Sequence, residues 1–202
     1  MEIIKLNKAN QLVIVNKAVD VLKHGGVIVY PTETAYGLGA DFLNPSAVKK
    51  IYQIKGRNFK KPLSVIVANL AVAKKLVKFD KTALNLAKKH WPGALTLILI
   101  SNQFKISNYK TIALRVSANK LATAITKSLN KPLTATSANL SGKGEHYSVR
   151  AVIKEFENKK FQPDLIIDAG RLPKEKPSTI VKVVDAEIEI LRKGKILPSI
   201  KI

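Results

Sequence analysis

HGGVIVYP, residues 24–31, is a helix end, a glycine turn and a β-branched strand in immediate succession. Gly25 and Gly26 suit the left-handed conformation that closes a helix. Val27-Ile28-Val29-Tyr30 then reads as a buried strand that stops at Pro31. Upstream, the spacing predicts a helix from near Asn7 that carries Ala9, Leu12, Val13, Val19 and Leu22 inward. Downstream, Asn44-Pro45 reads as an N-cap with proline in the first turn, and Val48, Ile51 and Tyr52 give that helix an apolar stripe ending at Lys55.

The alternation continues to the C-terminus. Strands are expected over 63–68, 94–100, 111–116, 132–136, 165–167, 179–184 and 188–191, with helices opening after Asn69, Asp80, Asn119 and Ser148. The strands at 94–100 and 111–116 flank a polar loop at Asn102 to Tyr109, which suggests a hairpin and antiparallel pairing. Hairpins mixed with crossover helices define the class: α/β, a single domain built on one twisted, mixed parallel and antiparallel sheet with flanking helices.

Length and composition agree with this and narrow the chemistry. A chain of 202 residues, 46% hydrophobic and 24% charged, can form one core as residues 1–202 without a second domain. No apolar run approaches the roughly 20 residues that cross a bilayer. Met1-Glu2-Ile3-Ile4-Lys5 lacks the basic-then-apolar order of a secretory signal, so the expectation is a cytoplasmic protein with no membrane contact. The absence of cysteine excludes disulfides, thiolate nucleophiles and cysteine-bound metal. His24, His90 and His146 lack metal-ligand spacing, and no protein-bound zinc is expected. With 35 Lys+Arg against 14 Asp+Glu, the net charge of +21 attracts polyanions such as RNA or nucleotides. The lysines are dispersed in pairs, however, and read equally well as solvated faces, so charge alone assigns no function.

Common nucleotide signatures are missing: there is no G-x-x-x-x-G-K-[ST], and Gly37-Leu38-Gly39 lacks the third glycine of a dinucleotide fingerprint. Four polar, small-residue loops nevertheless interrupt the apolar strands: PTETAYGLG at 31–39, KGRNFKKPLS at 55–64, TATSANLSG at 134–142 and PSTIV at 177–181. Lys55, Arg57 and Lys61 can converge on a phosphate chain, arginine as a fork and lysine as a point charge. Taken alone, the same loop is better read as a solvated basic turn. Ser137 and Asn139 alternate across Ala138 after a strand, which would turn a hydroxyl and an amide to one pocket; turn and cap chemistry explains them equally. Thr32, Thr34 and Tyr36 alternate likewise before glycines that would let a ligand approach the backbone; a structural turn explains this almost as well.

In order along the chain, YPTETAYGLG (30–39), KGRNFKKPLSV (55–65), WPGALT (91–96), LRV (114–116), TSANLSG (136–142), IDAG (167–170), PSTIV (177–181) and LRKGKI (191–196) together resemble the YrdC/Sua5 family of threonylcarbamoyl-AMP synthases. The resemblance implies a YrdC-like fold in the short form, without the C-terminal extension of the longer Sua5 type. It implies conversion of ATP, bicarbonate and L-threonine to threonylcarbamoyl-adenylate and pyrophosphate. A separate tRNA threonylcarbamoyl-transfer complex then modifies adenosine 37. Carried over residue by residue, Lys55, Arg57, Ser137 and Asn139 are the catalytic set and also hold ATP, with Lys61 extending the cationic wall. Arg115 would pair with the threonine carboxylate, with Thr34 and Ser178 contacting the same amino acid. Thr111 and Arg192 are assigned to the nucleotide. Mg²⁺ would ride on the phosphates, since no acidic cluster offers it a cage.

Two departures stand out against that pattern. Ser117 occupies a position where the family commonly has proline, which implies a freer backbone near Arg115. Gly144-Glu145-His146 replaces small or proline residues at the edge of the nucleotide pocket. A second reading is a non-catalytic RNA-binding or ribosome-associated module of the same fold, using the +21 charge; related domains are linked to double-stranded RNA. A third, a domain serving another carbamoyl acceptor as in hydrogenase maturation, is disfavoured by the lack of cysteine-rich modules. Intact K-x-R and S-x-N sets favour the synthase.

Overall fold

The structure, a computed structural model, describes residues 1–7, 9–102, 110–184 and 187–198. The expected hairpin connection at Asn102 to Tyr109 lies, from residue 103 onward, outside the described residues. The chain runs β1 (Glu2–Lys5), α1 (Gln11–Lys23), β2 (Ile28–Pro31), β3 (Tyr36–Gly39), α2 (Pro45–Lys55), β4 (Ser64–Ile66), α3 (Leu70–Leu76), α4 (Lys81–His90) and β5 (Leu95–Ile100). It continues with β6 (Thr111–Arg115), α5 (Lys120–Leu129), β7 (Leu133–Thr134), β8 (Thr136–Ser137), α6 (Val149–Phe156), β9 (Leu165–Asp168), β10 (Thr179–Val184) and β11 (Glu187–Arg192).

The α/β class and the mixed strand directions hold, but the strands form two sheets where one was expected. The first is ordered β1-β9-β2-β3-β8 and the second β11-β10-β5-β6-β4-β7. The reason lies in residues 132–136, expected as one strand. Thr134 pairs with Val65 in the second sheet, whereas Thr136 pairs with Leu38 in the first. Only Ala135 separates them, and it is pinned at the crossing: its N–H donates to Ser64 O (2.7 Å), and Ser64 Oγ donates to its carbonyl (2.6 Å). The sheets diverge from this point. β5 and β6 pair antiparallel, as their adjacency predicts.

Helices cover the sheets where alternation leaves apolar faces. Ile28, Tyr30, Leu165 and Ile167 pack on one face of the first sheet with α1 and α5. Val29, Leu38 and Ile166 pack on its other face with α2 and α6. In the second sheet, Leu95, Leu97 and Leu99 of β5, Ile112 and Leu114 of β6, and Val181 and Val183 of β10 face α3 and α4. Period-two geometry therefore turns Thr96, Ile98, Ala113, Arg115 and Ile180 to the other side, where, among the described residues, they line a cavity and are not covered by α3 and α4.

Candidate active site

A cavity of about 430 Å³ fills that uncovered face, with residues of both sheets around it. The size suits a small-molecule ligand. Its basic part is built by the loop after α2. Gly56 takes a positive φ of 57° and reverses the chain, so that Arg57 and Lys61 line the cavity beside Ser137 of β8. The loop is braced locally: Tyr52 Oη donates to Lys61 O at 2.9 Å, and Arg57 Nη2 donates to Pro62 O at 3.0 Å. Arg57 Nε is buried without a hydrogen-bond partner among the described residues.

Lys55 and Asn139 are close by but are absent from the lining. Lys55 is 3% exposed. Its ammonium donates to Ser137 O (2.5 Å), Asn139 O (2.8 Å) and Asn139 Oδ1 (3.4 Å), while Ser141 N–H donates to its own carbonyl. Asn139 Nδ2 donates in turn to Leu140 O and Lys143 O. The alternation that would aim Ser137 and Asn139 at one pocket breaks because β8 ends at Ser137. Ser137 thus faces the cavity, and Lys55 with Asn139 holds it from behind. Burial lowers the Lys55 pKa from 10.5 to about 8, and the Arg57 charge pushes the same way.

The other part of the lining is hydroxyl-rich and centred on Arg115, which is 7% exposed at the end of β6. Ser178 Oγ lies 2.9 Å from Thr96 Oγ1 and accepts from Arg192 Nη2 (3.1 Å), while Arg192 Nε donates to Ser178 O (3.0 Å). Thr34 is presented by a turn that Thr32 locks: Thr32 Oγ1 donates to Ala35 O (2.7 Å) and accepts from the N–H groups of Thr34 and Ala35 (3.2 Å each). Arg57, Lys61, Ser137, Thr34, Arg115, Ser178 and Arg192 therefore share one cavity. Thr111 does not: it shares the face of Ala113 and Arg115 but sits at the far end of β6, outside the lining.

Several lining residues carried no assignment from sequence. Thr96 and Ser64 lie inside quoted motifs, and the two-residue offset of Thr96 from Ile98 was the available signal. Glu145 also faces the cavity, in the departing stretch 144–146. That edge is firmly built: Tyr147 Oη donates to Glu145 Oε2 (3.2 Å), Tyr36 N–H to His146 O (3.0 Å), and Leu140 N–H to Glu155 Oε1 (3.1 Å). Ser117, where a freer backbone was expected, is 1% exposed and hydrogen-bonded through both its hydroxyl and its carbonyl.

Residues 20–194 match a family model, Sua5/YciO/YrdC, described as "Telomere recombination". Threonylcarbamoyl-AMP synthase of Pyrococcus abyssi is 34% identical over 88% of this chain and 53% of its own length. The chain thus spans about half of that relative. A putative threonylcarbamoyl-AMP synthase of Methanocaldococcus jannaschii is 32% identical over 97% of this chain and 93% of its own. Among solved structures, P. abyssi Sua5 complexed with L-threonine superposes with a TM-score of 0.87 at 32% identity, covering 96% of this chain and 58% of that one. Among the described residues no helix is long and apolar enough to cross a membrane.

Proposed function

The chain belongs to the Sua5/YciO/YrdC family, and from that premise we propose that it is an L-threonylcarbamoyladenylate synthase. ATP, bicarbonate and L-threonine are its substrates, and threonylcarbamoyl-AMP and pyrophosphate its products. The observation that carries this reading is one cavity joining two chemistries: an Arg57, Lys61 and Ser137 cluster beside an Arg115, Thr34 and Ser178 cluster. The first suits a polyphosphate, and the second suits an amino acid held by its carboxylate and hydroxyl.

In this reading Arg115 forks the threonine carboxylate, and the threonine amine attacks the one-carbon unit to give a carbamate with loss of water. A carbamate oxygen then attacks the α-phosphorus, and pyrophosphate leaves toward Arg57 and Lys61. No covalent enzyme intermediate is required. Catalysis rests on holding crowded anions in line against fixed positive donors. Lys55 and Asn139 act by fixing Ser137, and Arg192 acts through Ser178. Among the described residues there is no group of three or more His, Cys, Asp and Glu side chains placed to hold a metal, and Glu145 is the one carboxylate in the lining. The donors therefore fit Mg²⁺ carried by the phosphates better than Mg²⁺ caged by protein. The setting is cytoplasmic, and the product passes to a separate complex that modifies tRNA.

The test is pyrophosphate release by the purified chain with ATP, bicarbonate and each amino acid in turn. Release dependent on threonine and abolished in Arg57→Ala is expected. Absent or threonine-independent release, with tight RNA binding retained, replaces this reading with the RNA-binding module.

A further inference from the structure

The geometry assigns Glu33, clamped by Ser117, as the positioning residue for Arg115, making that end of the cavity selective for a zwitterionic amino acid over a second anion. This inference rests on the reading of Arg115 as the carboxylate-binding group.

Glu33 sits in the turn between Thr32 and Thr34, and its Oε1 lies 3.6 Å from Arg115 Nε. Both side chains are largely withdrawn from water, at 13% and 9% exposure. Glu33 Oε2 accepts the Ser117 hydroxyl at 2.5 Å. That hydroxyl accepts in turn from Asn119 N–H (3.1 Å), and Ser117 O accepts from Thr123 Oγ1 (2.9 Å). The carboxylate is thus tied to the start of α5 and cannot swing with its own turn. Glu33 Oε1 and Arg115 Nε are buried and have no hydrogen-bond partner among the described residues. They face each other roughly 0.8 Å beyond a charge-assisted hydrogen bond.

This arrangement has a directional consequence. Glu33 engages the Nε edge of the guanidinium and leaves its two terminal nitrogens as a fork for a carboxylate. It also has an electrostatic one. A lone buried arginine attracts any anion, including the phosphates that belong beside Arg57 and Lys61. Paired with Glu33, Arg115 keeps its directed donors while the pair carries no net charge. A zwitterion matches such a site, whereas a phosphate dianion gains no net attraction from the neutral pair.

The experiment titrates L-threonine, ATP and inorganic phosphate into wild type, Glu33→Gln, Ser117→Ala and Arg115→Ala by calorimetry, with melting temperatures recorded for each. Glu33→Gln is expected to weaken threonine about tenfold, to leave ATP within about twofold, and to let phosphate compete with threonine. Ser117→Ala is expected to weaken threonine about threefold in the same selective way. A merely structural role lowers the melting temperature without separating threonine from ATP. The inference is overturned when folded Glu33→Gln binds threonine as wild type does, or loses threonine and ATP in parallel. Should Glu33→Gln fail to fold, unchanged threonine affinity in Ser117→Ala overturns it. Threonine binding that survives Arg115→Ala instead overturns the underlying site reading, which separates the two failures.

Discussion

Lys55 keeps an ammonium almost out of water by giving its protons to three oxygens of the Ser137–Asn139 segment. The cost of that burial, with the charge on Arg57 adding to it, lowers its pKa from 10.5 to about 8. Between those values the unfolded chain binds a proton that the folded chain has released. The Lys55 contribution to stability therefore rises with pH across that window, as the penalty for a buried charge is relieved. Activity moves the other way, because a neutral amine holds the two carbonyls less tightly and loosens Ser137. Turnover is expected to fall as pH rises through about 8, while the melting temperature of wild type gains on that of Lys55→Met from pH 8 toward 10.5. Parallel pH–rate profiles and thermal melts of both proteins check the opposed signs. A stability difference independent of pH removes the buried ammonium from the account.

At the scale of elements, the segment after β11 decides where Ser178 stands. A Cβ on Gly194 would lie 2.1 Å from Pro177 O and 2.5 Å from Ser178 C, both backbone atoms that cannot rotate away. Gly194→Ala must push the entrance of β10, and Ser178 with it, costing about 2 kcal/mol and raising the KM for threonine. Asp80→Ala, which removes the cap that accepts Ala83 N–H at 2.7 Å, costs about 1 kcal/mol and leaves that KM alone. Denaturant unfolding and threonine kinetics on the two variants separate the effects; equal KM values reject the role given to the segment. Caps were the part of the fold most legible in sequence: Asn44, Asp80, Asn119 and Ser148 each accept the expected backbone N–H. α1 was less so. Asn7 Oδ1 accepts from Ala9 and Asn10 in a turn of its own, delaying the helix to Gln11. Within the helix, Ile14, Val15, Ala18, Val19 and Leu22 form the buried stripe, and Leu12 and Val13 fall outside its phase, 73% and 67% exposed. β1 had no signal beyond four mostly exposed edge residues. β3 was hidden by Gly37 and Gly39, which form a strand because the Tyr30 ring packs where their side chains would be. In the site, the basic loop and Ser137 read alone as a solvated turn and a cap; the ordered motifs, not local chemistry, pointed to the pocket whose lining includes Arg57, Lys61 and Ser137. The inward turn of Lys55 and Asn139, and the Glu33–Ser117 contact between residues 84 positions apart, depend on tertiary packing that no local spacing encodes.

Across the whole molecule, the divergence of the two sheets at Ala135 opens one cavity to two kinds of charge. Around it the chain carries +21, most of it on dispersed lysines. Such a field acts at long range on a polyanion and hardly at all on a molecule of zero net charge. In the proposed reading, ATP meets the summed field before it meets Arg57 and Lys61. Threonine, a zwitterion, would meet only the short-range contacts of Arg115, whose charge is balanced by Glu33 at 3.6 Å. Salt screens the first interaction, since the Debye length falls from about 10 Å at 0.1 M to about 3 Å at 1 M. It hardly reaches the second, because Arg115 is 7% exposed. Raising ionic strength from 50 to 500 mM is therefore expected to weaken ATP several-fold, about 3- to 10-fold, while threonine affinity changes less than about twofold. Separate calorimetric titrations of ATP and threonine across that series measure both slopes. Slopes of equal size would mean that the global charge does not distinguish the two ends of the cavity, and that the lysines serve only to keep the surface solvated.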